Sequence, residues 1–244
     1  MAHAHIVSAG CSFTKDCFQK TWPAYLEQQL KTPVVNIGAR GAGIDFITKR
    51  IMYYCTQHTP DLMVVMFPSV DRFDWFIDTA HPLKDAAVDI ASWQNGSNPT
   101  LINLDGTLST TEGYCLSGGE IRGFKKHWFK YYYSEASAQL DYWMKIYQLQ
   151  IFLESKKIPY CFSLAYDRDD LVEQPSNKSL PMDLTWIYNQ ISWNNFAFYK
   201  ETQGFLSFVQ DNNFKINKNH PESLAHDSWV QDILLDKLKS IKKF

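Results

Sequence analysis

Between Asp61 and Phe67 the chain reads Asp-Leu-Met-Val-Val-Met-Phe, six consecutive apolar residues after one acid. Side chains of a strand alternate between two faces, so an unbroken apolar run requires cover on both, as in a parallel strand sandwiched between helices. The flanking segments fit that setting. Residues 5–9 read as a first strand, Trp22 to Leu30 as an amphipathic helix with Pro23 near its first turn, Pro33 to Asn36 as a short strand and Ile44 to Gln57 as a second helix. Strands alternating with helices imply β-α-β crossovers, hence an α/β protein built as a three-layer α/β/α sandwich on a mainly parallel sheet.

Further along, Trp143, Ile146, Tyr147, Gln150 and Ile151 recur at helical spacing and predict a helix over Leu140 to Leu153. Ile158 to Leu164 is a fourth parallel strand. Residues 222–242 form a last helix with Trp229, Ile233, Leu234 and Leu238 roughly on one face and a basic end suited to the helix dipole. Two stretches break the pattern. Residues 77–120, rich in Asn, Gly, Ser and Thr, read as an irregular insertion on the site side of the sheet, with a weak strand signal at Thr100 to Leu104 and room for a small hairpin. Residues 167–182, polar with two prolines, read as a loop or lid. At 244 residues the whole chain, 1–244, is expected to be one domain.

Composition narrows the function classes. A net charge of −2 and a pI near 6.4 give no general electrostatic case for nucleic acid. The one basic and aromatic run, Arg122 to Trp128, reads first as a solvated helix face, with an anionic glycan or nucleic acid as the alternative. The following Trp128-Phe129-Lys130-Tyr131-Tyr132-Tyr133 reads as packing, with sugar stacking as the alternative. Five cysteines (Cys11, Cys17, Cys55, Cys115, Cys161) without C-x-x-C spacing fit reduced thiols. His3, His5, His58, His81 and His127 show no metal-site spacing. With neither a signal-peptide pattern nor an apolar stretch of spanning length, no membrane is expected, and a cytoplasmic location is the default.

Three segments carry chemistry. The first strand breaks at Gly10-Cys11-Ser12, where open α/β sheets place their sites, although Ser12 alone reads equally as a helix N-cap. Asn36-Ile37-Gly38-Ala39-Arg40-Gly41-Ala42-Gly43 is a glycine-rich loop entering a helix, able to offer backbone N–H groups to an oxyanion or a phosphate. It matches neither nucleotide-binding fingerprint. Asn217-Lys218-Asn219-His220-Pro221 is a polar loop that leaves His220 at a helix start. A serine hydroxyl needs a base to take its proton and donors for the developing oxyanion, and these segments contain all three parts.

In this order the segments resemble the SGNH (GDSL-like) hydrolases, with Gly-Cys-Ser-Phe-Thr and the late His-Pro similar to a variant branch of bacterial and phage proteins. The resemblance covers residues 5–72 and 204–240. It implies a flavodoxin-like sheet order, Ser12 as nucleophile and oxyanion donor, the Gly41 N–H as second donor, and His220 as base. It implies no cofactor or metal. Two positions depart from the pattern. Asn217 stands where the family carries the triad aspartate, leaving Asp211, Glu222, Asp227 or a backbone carbonyl to orient His220. Val70, in Pro68-Ser69-Val70-Asp71-Arg72, replaces the side-chain oxyanion donor, with Ser69 or Arg72 as substitutes. His226 reads as a packing or capping histidine.

The resemblance implies a serine esterase acting on an acyl ester, foremost an O-acetyl group on a carbohydrate. The alternatives are an impaired module that binds glycan or protein, and an acyltransferase. The expected partner is a small-molecule or glycan ester, and a phage-encoded copy would be virion-associated.

Overall fold

A computed structural model describes residues 5–15, 19–81, 101–116, 124–168, 184–217 and 219–241, with the backbone alone at 124–127. Five parallel strands form the central sheet: β1 (Ile6–Gly10), β2 (Val34–Asn36), β3 (Leu62–Phe67), β8 (Tyr160–Leu164) and β9 (Phe196–Ala197), in the order β2-β1-β3-β8-β9. Counted among themselves in chain order this is 2-1-3-4-5, the flavodoxin-like arrangement. Register runs from Ile6 opposite Val34 on one side of β1 to Ile6 opposite Leu62 on the other.

The apolar run of β3 is wholly buried and divides between two cores. Met63, Val65 and Phe67 join Val7, Ala9, Tyr160, Phe162 and Leu164 on one face, while Leu62, Val64 and Met66 join Ile6 and Cys161 on the other. The first face is covered by α2 (Ile44–Gln57) and α4 (Glu135–Ser155), the second by α1 (Trp22–Leu30) and the C-terminal helices. Helix α1 carries Pro23 in its first turn, where the missing N–H costs nothing. Helix α4 begins five residues before the predicted Leu140, because the Ser134 hydroxyl accepts the Ser137 N–H (3.4 Å) and caps it upstream of the apolar pattern.

Three features differ from the sequence expectation. Strand β9 is two residues long, too short for periodicity to show, and is held by pairing with Phe162 and Ser163. The last helix is α7 (Ser223–Trp229), a π turn (Val230–Leu234) and α8 (Leu235–Ile241), and the adjacent Trp229 and Val230 are both fully buried. The insertion contains a four-stranded antiparallel sheet of β4 (Trp75–Ile77), β5 (Leu101–Ile102), β6 (Leu108–Ser109) and β7 (Gly113–Cys115), ordered β4-β7-β5-β6. Phe76 lies directly opposite Tyr114 with ring centroids 5.3 Å apart, the kind of cross-strand pair that stabilises so small a sheet. Two short helices, α3 (Phe124–Tyr131) and α5 (Thr185–Tyr188), and α6 (Phe205–Asp211) complete the frame, with a hairpin of β10 (Ile216–Asn217) and β11 (His220–Pro221). Most of the expected lid at 167–182 lies outside the described residues. Among the described residues no helix is long and apolar enough to cross a membrane.

Candidate active site

The sheet order reverses at β1: the chain passes to β2 on one side and returns to β3 on the other. The crevice outside the carboxyl ends of these strands is where such sheets bind ligands. Strand β1 delivers its last residue, Gly10, into this crevice. A Cβ at Gly10 would lie 2.2 Å from the Thr14 Oγ1 and 2.7 Å from the Met66 carbonyl oxygen, so only glycine lets the turn close. The N–H groups of Thr14 and Lys15 both donate to the Cys11 carbonyl (3.0 Å each), looping the chain around Ser12, which is buried at 7% exposure.

The glycine-rich segment is tied to this turn. The Asn36 amide donates to the Thr14 carbonyl (2.7 Å) while its oxygen accepts the Gly38 N–H (2.9 Å), and the Ala39 N–H donates to the Gly10 carbonyl (3.0 Å). The Thr21 hydroxyl also donates to the Thr14 carbonyl (2.7 Å), and the Trp22 indole donates to the Thr14 hydroxyl (3.2 Å). Thr14 is thus the joint of the first two blocks. Gly41 lies in the left-handed region at φ 78°, which turns the loop toward helix α2.

His220 arrives from the other end of the chain. In the β10–β11 hairpin Asn217 is directly opposite His220, so their side chains share a face, and Asn217 is exposed. The His220 ring stands edge-on to Phe13, centroids 5.6 Å apart, one residue from Ser12. The next carbonyl, that of Pro221, accepts from the Gln19 amide and from His226. Burial, reinforced by the neighbouring His220, pushes His226 down to about 3, so it is a neutral packing residue against Phe205 (4.8 Å).

The third block follows β3. Val70 packs against the core. The Ser69 hydroxyl donates to Asp71 and lies within hydrogen-bonding reach of the Tyr166 hydroxyl. Arg72 donates its backbone N–H to the Ser69 carbonyl (3.4 Å), and its charge acts on Asp74 and Tyr166. Of the acids named from sequence, Asp211 pairs with Lys200 (2.6 Å), Asp227 accepts from Gln231 (2.9 Å), and Glu222 stands at the N-cap position of α7, where its backbone carbonyl, not its carboxylate, accepts the Ala225 N–H (2.9 Å).

Sequence reading missed Asp74. Its carboxylate accepts the N–H groups of Gly43 (2.9 Å) and Phe46 (3.0 Å), capping α2 from 31 residues away. Burial pushes it up to about 7 against the pull of those two N–H groups. The visible signal was a helix opening on Gly43, which brings no capping side chain of its own. Of the basic run, 122–123 and the side chains of 124–127 lie outside the described residues. Trp128 packs on Phe73 (4.6 Å) and Trp75 (5.7 Å). Cys11, Cys55, Cys115 and Cys161 are buried thiols. Among the described residues no three His, Cys, Asp or Glu side chains converge as a metal would require.

No protein-family profile and no curated protein matches the sequence. Solved structures do match the fold, which is that of the SGNH (GDSL-like) hydrolases. The chain is similar to TesA, at 12% identity and a TM-score of 0.52 over 98% of this chain and 99% of that one. It is also similar to a catalytic mutant of Axe2, an acetylxylan esterase from Geobacillus stearothermophilus, at 12% identity and a TM-score of 0.50 over 96% and 94% of the two chains.

Proposed function

We propose that the protein is a serine esterase of the SGNH type, with Ser12 as nucleophile and His220 as general base. The observation that carries this reading is the contact of His220 with Phe13: the late histidine packs beside the nucleophile turn at the sheet's switch point. His220 accepts the Ser12 proton as Oγ attacks the acyl carbonyl, and the N–H groups of Ser12 and Gly41 receive the oxyanion. Collapse breaks the ester bond, and the proton on His220 goes to the departing alkoxide. Water, deprotonated by His220, then attacks the acyl-serine; as the acyl–Oγ bond breaks His220 returns the proton to Ser12 Oγ, and the carboxylic acid leaves. The preferred substrate is an O-acetyl group on a carbohydrate.

Asn217 orients the imidazole from across the hairpin as an amide, without the charge that an aspartate would place beside the imidazolium. Because the Ser69 hydroxyl is engaged by Asp71, Arg72 is assigned as the substitute for the missing third oxyanion donor. The test is labelling with a fluorophosphonate and hydrolysis of p-nitrophenyl acetate. Both are expected in the wild type and in neither Ser12→Ala nor His220→Ala. Labelling that persists in Ser12→Ala overturns the assignment, and a wild type that neither labels nor turns over supports a binding module instead.

A further inference from the structure

A cavity with a volume of about 360 Å³ lies beyond the glycine-rich loop, between the first turns of α2 and the insertion sheet. That is within the range of about 300–1,000 Å³ typical of small-molecule sites. Trp75 and Phe76 of β4 and Tyr114 of β7 form its aromatic walls; Phe76 is 53% exposed, and Tyr114 is braced edge-on by Phe46 (5.3 Å). Asp45, Lys49 and His81 supply polar edges.

Asp45, the acid on the first turn of α2 in this cavity, is already paired. Asp45 holds Lys49 at 2.6 Å and Lys145 at 2.9 Å, and Lys49 also reaches the Tyr114 ring (5.6 Å). The anion-binding N–H groups that open α2 are taken by Asp74. At the α2 N-terminus an anionic ligand would therefore have to displace a built-in carboxylate, and a purely apolar one would strip water from paired charges without replacing its hydrogen bonds. A neutral polyhydroxylated ring meets neither cost: its C–H face lies on the aromatic wall, and its hydroxyls exchange water for Asp45 and Lys49. Gly43, which donates to Asp74 at the edge of this cavity, is two residues from the proposed oxyanion donor Gly41.

We propose that this cavity is a neutral-sugar subsite, holding the carbohydrate part of an ester whose acyl group reaches Ser12. It rests on the esterase reading only for that last link, and its test is independent of turnover. Calorimetric titration of the Ser12→Ala protein with xylotriose, cellotriose and chitotriose is expected to show saturable binding of at least one. Trp75→Ala and, separately, the exposed-site change Phe76→Ala, each made in the Ser12→Ala protein and checked by circular dichroism, should each weaken it about tenfold or more. Glucuronic acid should not bind. No binding of any trisaccharide, or binding that both folded variants leave unchanged, overturns the subsite. If the wild type hydrolyses no ester and takes no fluorophosphonate while a trisaccharide binds as described, the esterase reading falls and the sugar site stands.

Discussion

The His220 ring meets the Phe13 ring edge-on, at 5.6 Å between centroids and an angle of 89°, although 207 positions separate them. Phe13 in turn touches Phe205 (6.0 Å), and Phe205 touches His226 (4.8 Å). One aromatic chain thus links the turn that carries Ser12 to the loop that carries His220.

Asn217 is the residue across the ladder from His220, and it is exposed enough to accept a substitution without repacking. In a Ser-His-Asp enzyme the change from aspartate to asparagine lowers kcat by about 10⁴. The reverse change, Asn217→Asp, is expected to raise kcat for p-nitrophenyl acetate by about tenfold or more, through charge beside the imidazolium. Steady-state kinetics check this; an unchanged kcat would show that another group orients His220.

Asn36 makes two hydrogen bonds that join the nucleophile turn to the glycine-rich loop. Asn36→Ala leaves the Thr14 carbonyl with one donor fewer and frees the Gly38 N–H, and should cost about 1–3 kcal/mol in chemical denaturation. Activity should fall more than stability requires, measured as kcat/KM at a temperature where the variant is fully folded. Gly10→Ala should cost about 1–3 kcal/mol or more by overpacking against Thr14 and the Met66 carbonyl.

Asp74 is held above its unfolded value, up to about 7, chiefly by burial. Between the ordinary carboxylate range and pH 7 the folded state binds the extra proton, so stability is full in acid and declines as pH rises. The slope approaches about 1.4 kcal/mol per pH unit for one group. Asp74→Asn keeps one acceptor for the α2 N-terminus and should flatten this decline; melting curves from pH 5 to 8 compare the two.

His226 titrates in the opposite sense. Burial pushes it down to about 3, so below pH 6.5 the unfolded chain binds the extra proton and the native state is weakened as pH falls toward 3. His226→Gln, which can still donate to the Pro221 carbonyl, should lose less stability than the wild type between pH 6.5 and 4. Equal losses in urea titrations would mean that another group governs the acid limb.

Much of the frame was legible because burial writes a local pattern. The run of β3 demanded a strand covered on both faces, the apolar spacing and Pro23 delimited α1 at Trp22–Leu30, and α2 fell at Ile44–Gln57 as its periodicity required. Glycine before Ser12 marked the turn, since the close approach of Thr14 and Met66 excludes any side chain there. Other features left no such mark. β9 and the insertion strands are two or three residues long and are held by their partners; of them β5 (Leu101–Ile102) falls on the signalled stretch Thr100 to Leu104.

The sequence by itself determined the longer strands and helices and that Ser12 lies in the turn after the first strand, because these depend on spacing within a few residues. The tertiary structure alone decided what those segments meet: Asn217 opposite His220, His220 against Phe13, and Asp74 on the N-terminus of α2. Each is a contact whose partner is chosen by sheet order and loop path, so its hydrogen bonds and burial energies are set by neighbours 28 or more positions away, or by a hairpin whose register no periodicity records.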